Sequence, residues 1–291
     1  MTVLDGKAFA EELKLKLKDE VEIYKAKYQR VPHLAAILVG DNPASRAYVN
    51  NKVKSCNQVG YKSTLIHLPG DISEEALLQK IDELNQDADV DGFIVQLPLP
   101  KHINEVKVTL AINYTKDVDG FHPVNFGRMA QSLPCYLPAT PYGITLLMER
   151  YGIVTAGKHV VVVGRSNIVG TPISIMLSRK SRIGDATVTL AHSRTKNLKE
   201  LLLTADIVIA AIGIPFFIKG DMVKDGAVVI DVGINRIETQ DQKSRLVGDV
   251  DYEDVAPKCS FITPVPGGVG PMTVMGLMMN TLKSAEKEIY A

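Results

Sequence analysis

The sequence predicts an α/β protein of two domains, and three observations carry that expectation. Its 291 residues suit two cores better than one, since single cores of ordinary domains hold about 100–200 residues. Buried strand patterns and helical patterns alternate twice along the chain, as in mostly parallel sheets covered by helices. Between the two series lies a stretch, residues 97–141, that is rich in Pro, Asn and Gly and breaks the alternation.

Taken in order, residues 7–28 place Phe9, Leu13, Leu17, Val21 and Tyr24 at helical spacing, which predicts an opening amphipathic helix. His33–Val39 reads as a buried strand. Asn42 and Pro43 then supply a capping side chain and the residue whose fixed φ suits the first helical position, with Gly60 ending that helix. A strand at 63–68, a helix at 74–85 and a strand at 92–96 repeat the step. Short helical pieces around Val106 and Phe126 interrupt the irregular stretch, and a helix at 142–151 carries the chain onward. The second series has strands at 159–163, 186–191, 207–211 and 227–231 and helices at 171–179 and 198–203. A final amphipathic helix, 271–290, is expected to pack back on the first domain. The expected domains are therefore 1–140 with 271–291, and 141–270.

Lys plus Arg equals Asp plus Glu at 33 each, so no global field exists to gather a nucleic acid or an acidic membrane. Cys56, Cys135 and Cys259 lie far apart with no Cys-x-x-Cys pair, which argues against a disulfide framework and a structural metal site. The first residues alternate acids and lysines and no apolar run reaches spanning length, so a cytoplasmic protein is expected.

Strand His159–Val163 runs into Gly164-Arg-Ser-Asn-Ile-Val-Gly170 and then a helix, the order in which backbone N–H groups at a helix start meet a dinucleotide pyrophosphate. The usual middle glycine is Ser166, and the spacing to Gly170 is one residue longer than usual. The next strand ends in His192-Ser193-Arg194, where NAD-specific sheets place an acid for the ribose hydroxyl. Ser193 with Arg165 or Arg194 suits a ribose phosphate instead, so the cofactor expected is NADP. Ala211-Ile212-Gly213 and Asp231-Val232-Gly233-Ile234 lie at the carboxyl ends of two further strands, where a cofactor would rest in an open sheet.

In the first domain, Tyr48 and Lys52 stand four apart and share a helix face beside Val49, Val53 and Cys56. A helical lysine is ordinarily a solvated surface residue. At the edge of a buried stripe its pKa falls, and it exchanges protons near neutrality.

Five segments occur together in order: Ser45-Arg-Ala-Tyr48-Val-Asn-Asn-Lys52, Val95-Gln96-Leu97-Pro98-Leu99-Pro100, Lys116-Asp-Val-Asp119-Gly-Phe-His122-Pro123, the Gly164 loop, and Pro264-Val-Pro-Gly-Gly-Val-Gly-Pro-Met-Thr273. The set closely resembles the bifunctional methylenetetrahydrofolate dehydrogenase/methenyltetrahydrofolate cyclohydrolase family over almost the whole chain. The resemblance implies a Rossmann-like second domain and oxidation of 5,10-methylenetetrahydrofolate with NADP. Hydrolysis of the methenyl product to 10-formyltetrahydrofolate would follow, in the one-carbon metabolism that serves purine biosynthesis. It also implies a homodimer through the second domain, and no metal. Lys52 would be the catalytic lysine, Gln96 its hydrogen-bonded orienter, Tyr48 a flank of the folate rings and Asp119 the grip on the pterin, with Val95 and Leu97 also against the substrate. Gly164, Arg165, Ser166, Ser193 and Ile234 would contact NADP. Pro266, Gly267 and Gly268 would form the floor of the folate site. Ala139 departs from the pattern, standing where a cysteine is expected.

Hydride transfer rests on proximity and orientation, whereas hydrolysis of a cationic methenyl bridge calls for a base of tuned pKa, which Lys52 held by Gln96 would supply. His122 is the rival acid-base candidate, and Asp117 could share the role of Asp119. Two other readings fit part of the pattern: a shikimate dehydrogenase-like enzyme for a small hydroxy acid, and a nucleotide-sensing module without chemistry.

Overall fold

A computed structural model describes residues 1–238 and 244–290. The chain begins with β1 (Thr2–Val3) and α1 (Gly6–Tyr28), then β2 (His33–Val39), α2 (Pro43–Val59), β3 (Lys62–Leu68), α3 (Glu74–Gln86) and β4 (Gly92–Val95). Three helices follow with no strand between them: α4 (Glu105–Ala111), α5 (Pro123–Ala130) and α6 (Ala139–Arg150). The second alternation comprises β5 (His159–Val163), α7 (Gly170–Ser178), β6 (Thr187–Ala191), α8 (Leu198–Thr204), β7 (Ile207–Ala210) and β8 (Val228–Asp231). After it come β9 (Asn235–Glu238), β10 (Ser244–Val247), α9 (Tyr252–Val255), β11 (Phe261–Ile262) and α10 (Val269–Ala285). The chain divides into two compact units, one of residues 11–139 with 274–291 and one of residues 1–10 with 140–273.

In the unit of residues 11–139 with 274–291, β3, β2 and β4 form a parallel sheet in that order. Every residue of the central strand β2 is buried, which is why its sequence is an unbroken apolar run rather than an alternation. The side chain of Asn42 accepts the N–H groups of Ala44 and Ser45 at 2.9 and 3.2 Å, Pro43 follows it, and α2 ends at a left-handed Gly60. On α3, Leu77, Ile81 and Leu84 recur at helical spacing and pack with Ile37, Val39, Phe93 and Val95. Each such buried side chain contributes about 1.5–3 kcal/mol. The later part of α10 belongs here as well: Tyr61 donates to the Met278 carbonyl at 2.8 Å, and the buried Asn280 donates to the carbonyls of Val118 and Leu137, both at 2.8 Å.

In the other unit all six strands of the sheet are parallel, in the order β1-β11-β8-β7-β5-β6. Val161, Val163, Val208 and Val229 sit in one buried cluster with Leu202 and Ile262. A separate antiparallel pair joins β9 and β10. The amino-terminal segment departs from the expected boundary of 1–140. Thr2 and Val3 pair with Phe261 and Ile262 at the edge of this sheet, and Leu4 is fully buried. A strand of two residues carries no readable periodicity, yet it satisfies edge groups such as the Ser260 carbonyl, which accepts from Thr2 N at 2.7 Å. The chain therefore passes between the units three times: within α1, at the start of α6 and within α10.

Candidate active site

Lys52 lies on the inner face of α2 and is only 6% exposed, so its ammonium has left water. Its Nζ donates to Gln96 Oε1 at 3.1 Å. Gln96 follows β4 and is held twice, by its own N–H on the Ile37 carbonyl at 2.9 Å and by Nε2 on the Leu97 carbonyl at 2.7 Å. A glutamine with both ends engaged presents its carbonyl oxygen in one direction. Burial pushes the Lys52 pKa down, and the nearby Asp119 partly opposes the shift. Asp119 answers in kind: burial raises its pKa and Lys52 lowers it. Tyr48, one turn before Lys52, is half-buried, and desolvation raises its phenol pKa.

Asp119 sits in the loop between α4 and α5. The neighbouring Asp117 is buried and accepts the N–H groups of Phe121 at 3.2 Å and His122 at 2.8 Å, together with Asn125 Nδ2 at 2.9 Å. Burial pushes Asp117 up to about 7 against these donors. Its oxygens are thus committed to folding the loop, which assigns Asp117 a structural part rather than a share in the role of Asp119. One cavity is lined by Val95, Leu97, Asp117, Asp119 and Phe121. His122 caps α5, its Nδ1 accepting from Val124 N at 3.1 Å while the ring also bonds the Leu110 backbone. With its ring engaged in this way and its pKa lowered by burial, His122 is a loop anchor.

In the second unit, Gly164 ends β5 with φ +118 and Gly170 opens α7. A Cβ on Gly164 would stand 2.0 Å from the Ala211 carbonyl oxygen, and one on Gly170 would stand 1.9 Å from that of Gly164. Glycine is therefore required at both positions by the approach of backbone to backbone. Ser166 Oγ accepts from Val169 N at 3.2 Å, drawing the turn together beneath the helix start. Arg165, Ser166, Ser193 and Arg194 are exposed at the carboxyl ends of β5 and β6. Among the described residues neither Arg165 nor Arg194 has an acidic side chain at ion-pair distance. Two unpaired guanidiniums and a hydroxyl, with no acid at the end of β6, make a donor set suited to a phosphate. Ile234 is exposed beyond β8.

Sequence reasoning missed the carboxylates that brace this end of the sheet. Asp249 is buried and accepts from Ile212 N at 2.7 Å, Gly213 N at 3.0 Å and Asn235 Nδ2 at 2.9 Å. Asp231 accepts from the N–H groups of Gly233, Asp249 and Val250, each at 2.9 Å, and burial raises its pKa to about 7. Its position at a strand end was visible, but its partners lie in a segment without a regular pattern.

Pro266, Gly267 and Gly268 belong to the same unit as the nucleotide loop. The Gly267 carbonyl accepts from Lys7 N at 2.8 Å, and a Cβ on Gly268 would meet the Pro264 carbonyl oxygen at 2.6 Å. This glycine pair therefore has a packing duty at the start of α1, whatever else it touches. Among the described residues no group of three or more His, Cys, Asp or Glu side chains could hold a metal ion, and no helix is long and apolar enough to cross a membrane.

The catalytic-domain model of tetrahydrofolate dehydrogenase/cyclohydrolase matches residues 4–119, and its NAD(P)-binding-domain model matches residues 138–289. The chain belongs to the tetrahydrofolate dehydrogenase/cyclohydrolase family. The bifunctional protein FolD of Cytophaga hutchinsonii is 61% identical over 98% of this chain and 99% of that protein. Among solved structures, the bifunctional FolD methylenetetrahydrofolate dehydrogenase/cyclohydrolase of Campylobacter jejuni is 46% identical, with a TM-score of 0.93 over 99% of each chain. The methylenetetrahydrofolate dehydrogenase-cyclohydrolase of Trypanosoma brucei, complexed with NADP cofactor and inhibitor, is 35% identical with a TM-score of 0.95 over 100% of this chain and 99% of that one. As a tetrahydrofolate dehydrogenase/cyclohydrolase, the chain is a bifunctional enzyme, a methylenetetrahydrofolate dehydrogenase and a methenyltetrahydrofolate cyclohydrolase. Membership removes both the hydroxy-acid dehydrogenase and the module without chemistry.

Proposed function

We propose that Lys52 is the proton-transferring group of this enzyme, that Gln96 positions it, and that Tyr48, Val95, Leu97 and Asp119 hold the folate. The observation that carries the reading is the Lys52–Gln96 hydrogen bond of 3.1 Å around an ammonium only 6% exposed. NADP, when bound, supplies the nicotinamide that takes a hydride from the methylene carbon. In the hydrolysis, a water oxygen bonds to the cationic methenyl carbon and its proton passes to neutral Lys52 Nζ. The hydroxyl now on that carbon then loses its proton as the formyl C=O forms and the bond from carbon to N5 breaks, N5 takes up a proton, and 10-formyltetrahydrofolate is left. Burial, by lowering the lysine pKa, enlarges the neutral fraction that the step needs. Asp119, whose pKa burial raises and Lys52 partly lowers, offers as a carboxylate two acceptors to an amino-pyrimidine edge.

The unit of residues 1–10 and 140–273 is the NADP domain in this reading. Arg165, Ser193 and Arg194 receive the ribose phosphate, while Gly164, Ser166 and Ile234 border the rest of the cofactor. A homodimer through this domain, working in the cytoplasm, belongs to the same reading. The test is to follow NADP reduction with methylenetetrahydrofolate and the decay of methenyltetrahydrofolate absorbance, each on the parent and on Lys52→Met. Equal rates of methenyl decay in the two proteins overturn the assignment of Lys52.

A further inference from the structure

Tyr290 has no part in the roles assigned so far, yet the structure ties it to the loop that carries Asp119. Its ring stands edge-on to Tyr114 and Tyr136, with centroids 5.1 and 5.4 Å away, and the Arg128 guanidinium lies 5.2 Å from its own centroid. Its hydroxyl donates to Asn125 Oδ1 at 2.6 Å. Asn125 is completely buried, and its amide is engaged on both sides. Oδ1 also accepts from Tyr136 N at 3.2 Å, and Nδ2 donates to the Tyr114 carbonyl and to Asp117 Oδ2, both at 2.9 Å. A flipped amide would set its NH2 against the Tyr136 N–H, so the orientation is determined. Asp117, steadied by Asn125, accepts the Phe121 and His122 N–H groups and so closes the loop around residue 119. The same loop is anchored at Val118, whose carbonyl accepts from Asn280 on α10.

We propose that Tyr290 is a positioning residue for Asp119, acting through Asn125 and Asp117 so that the segment after α10 sets the aim of the folate-binding carboxylate. The proposal rests on the reading of Asp119 as a folate ligand. Without the hydroxyl, Asn125 Oδ1 keeps only its longer bond to Tyr136 N, and the amide, less firmly directed, holds its Nδ2 donor less firmly on Asp117. The ring of Tyr290→Phe still fills the aromatic cage, so this variant removes the hydrogen bond and little else.

The test compares the parent, Tyr290→Phe, Asn125→Ala, the double variant and Asp119→Asn by thermal unfolding and by direct titration with tetrahydrofolate and, separately, NADP. Tyr290→Phe should weaken tetrahydrofolate binding about three- to tenfold, the scale of one neutral hydrogen bond, and leave NADP binding unchanged. The double variant should bind tetrahydrofolate no more weakly than Asn125→Ala alone, because the hydroxyl acts through that amide. Unchanged tetrahydrofolate binding in Tyr290→Phe, beside weakened binding in Asp119→Asn, overturns the role of Tyr290 while sparing Asp119. Unchanged binding in Asp119→Asn overturns the ligand reading and the proposal with it. Equal weakening of both ligands, or additive losses in the double variant, reduces Tyr290 to general packing and also overturns the proposal.

Discussion

Replacing Lys52 by Met leaves an unbranched side chain one atom shorter and removes the group that moves a proton, together with its bond to Gln96 and its pull on Asp119. Hydrolysis should fall about 10²- to 10⁴-fold, the usual scale for a general acid-base residue. That range equals about 2.7–5.4 kcal/mol of barrier at roughly 1.36 kcal/mol per decade. The fold should survive the change. A buried thioether gains about 1.5–3 kcal/mol from apolar burial. Leaving Gln96 Oε1 without its 3.1 Å partner costs about 1–3 kcal/mol, a comparable amount, and Asp119, deprived of the charge that lowers its pKa, takes up a proton at higher pH rather than staying an unpaired buried charge. Dehydrogenation should fall less, because it depends on holding the folate rather than on a proton acceptor. Lys52→Arg separates charge from proton transfer: the guanidinium still donates to Gln96 and still attracts Asp119, but it does not give up its proton near neutrality. Loss of methenyltetrahydrofolate absorbance in both variants, beside NADP reduction and a melting curve, measures all three quantities. Hydrolysis retained in Lys52→Arg but lost in Lys52→Met would refute the proton-transfer role and leave only an electrostatic one.

Arg165→Glu sets an anion against the extra phosphate, and NADP affinity should fall about 10- to 100-fold, the scale of a charge-assisted hydrogen bond, while NAD affinity changes much less. Cofactor titration decides, and equal losses for the two nucleotides would remove Arg165 from the phosphate. Asp119→Asn removes the charge that raises the Lys52 pKa, so the acidic limb of the hydrolysis pH profile should move to lower pH; a shift to higher pH contradicts the coupling between these groups. Gly170→Ala drives a methyl toward the Gly164 carbonyl oxygen at 1.9 Å and should cost about 1–3 kcal/mol, read as a lower melting temperature. An unchanged melting temperature would show that the turn yields freely.

Features written into neighbouring residues were legible in the sequence. Asn42-Pro43 and Gly60 bound α2 because capping is decided within a few residues, and the unbroken apolar run of β2 reports burial on both faces. Tyr48 and Lys52 share a face by spacing alone, whereas the partnership of Lys52 with Gln96 came only through likeness to a family. What escaped was either too short or too distant in the chain. Strands β1 and β11 have two residues each, below any readable period; β1 pairs with β11, and β11 in turn with β8. The joining of Asp117, Asn125 and Tyr290 spans most of the first unit's sequence, and no local pattern marks a tyrosine near the chain end as the partner of a buried amide. Asp117 looked like a second ligand because acids two apart are equivalent on paper; three donors tell them apart in space.

The crossings of the chain between units within α1 and within α10 bear on how the molecule comes into being on the ribosome. Synthesis proceeds from the amino end, so Thr2 and Val3 emerge long before Phe261 and Ile262, the residues with which they pair. The carbonyls of Val118 and Leu137 wait in the same way for Asn280, and the Tyr61 hydroxyl for Met278. Neither unit has all its parts until α10 is made, so until then the nascent chain carries two unfinished cores. Contacts of such sequence separation close slowly, and until they close the open edge of β8 and the unpaired carbonyls are exposed to other chains. A nucleotide-binding sheet whose edge strand is β1 is thereby completed only after β11, the last of its strands in chain order, has been made.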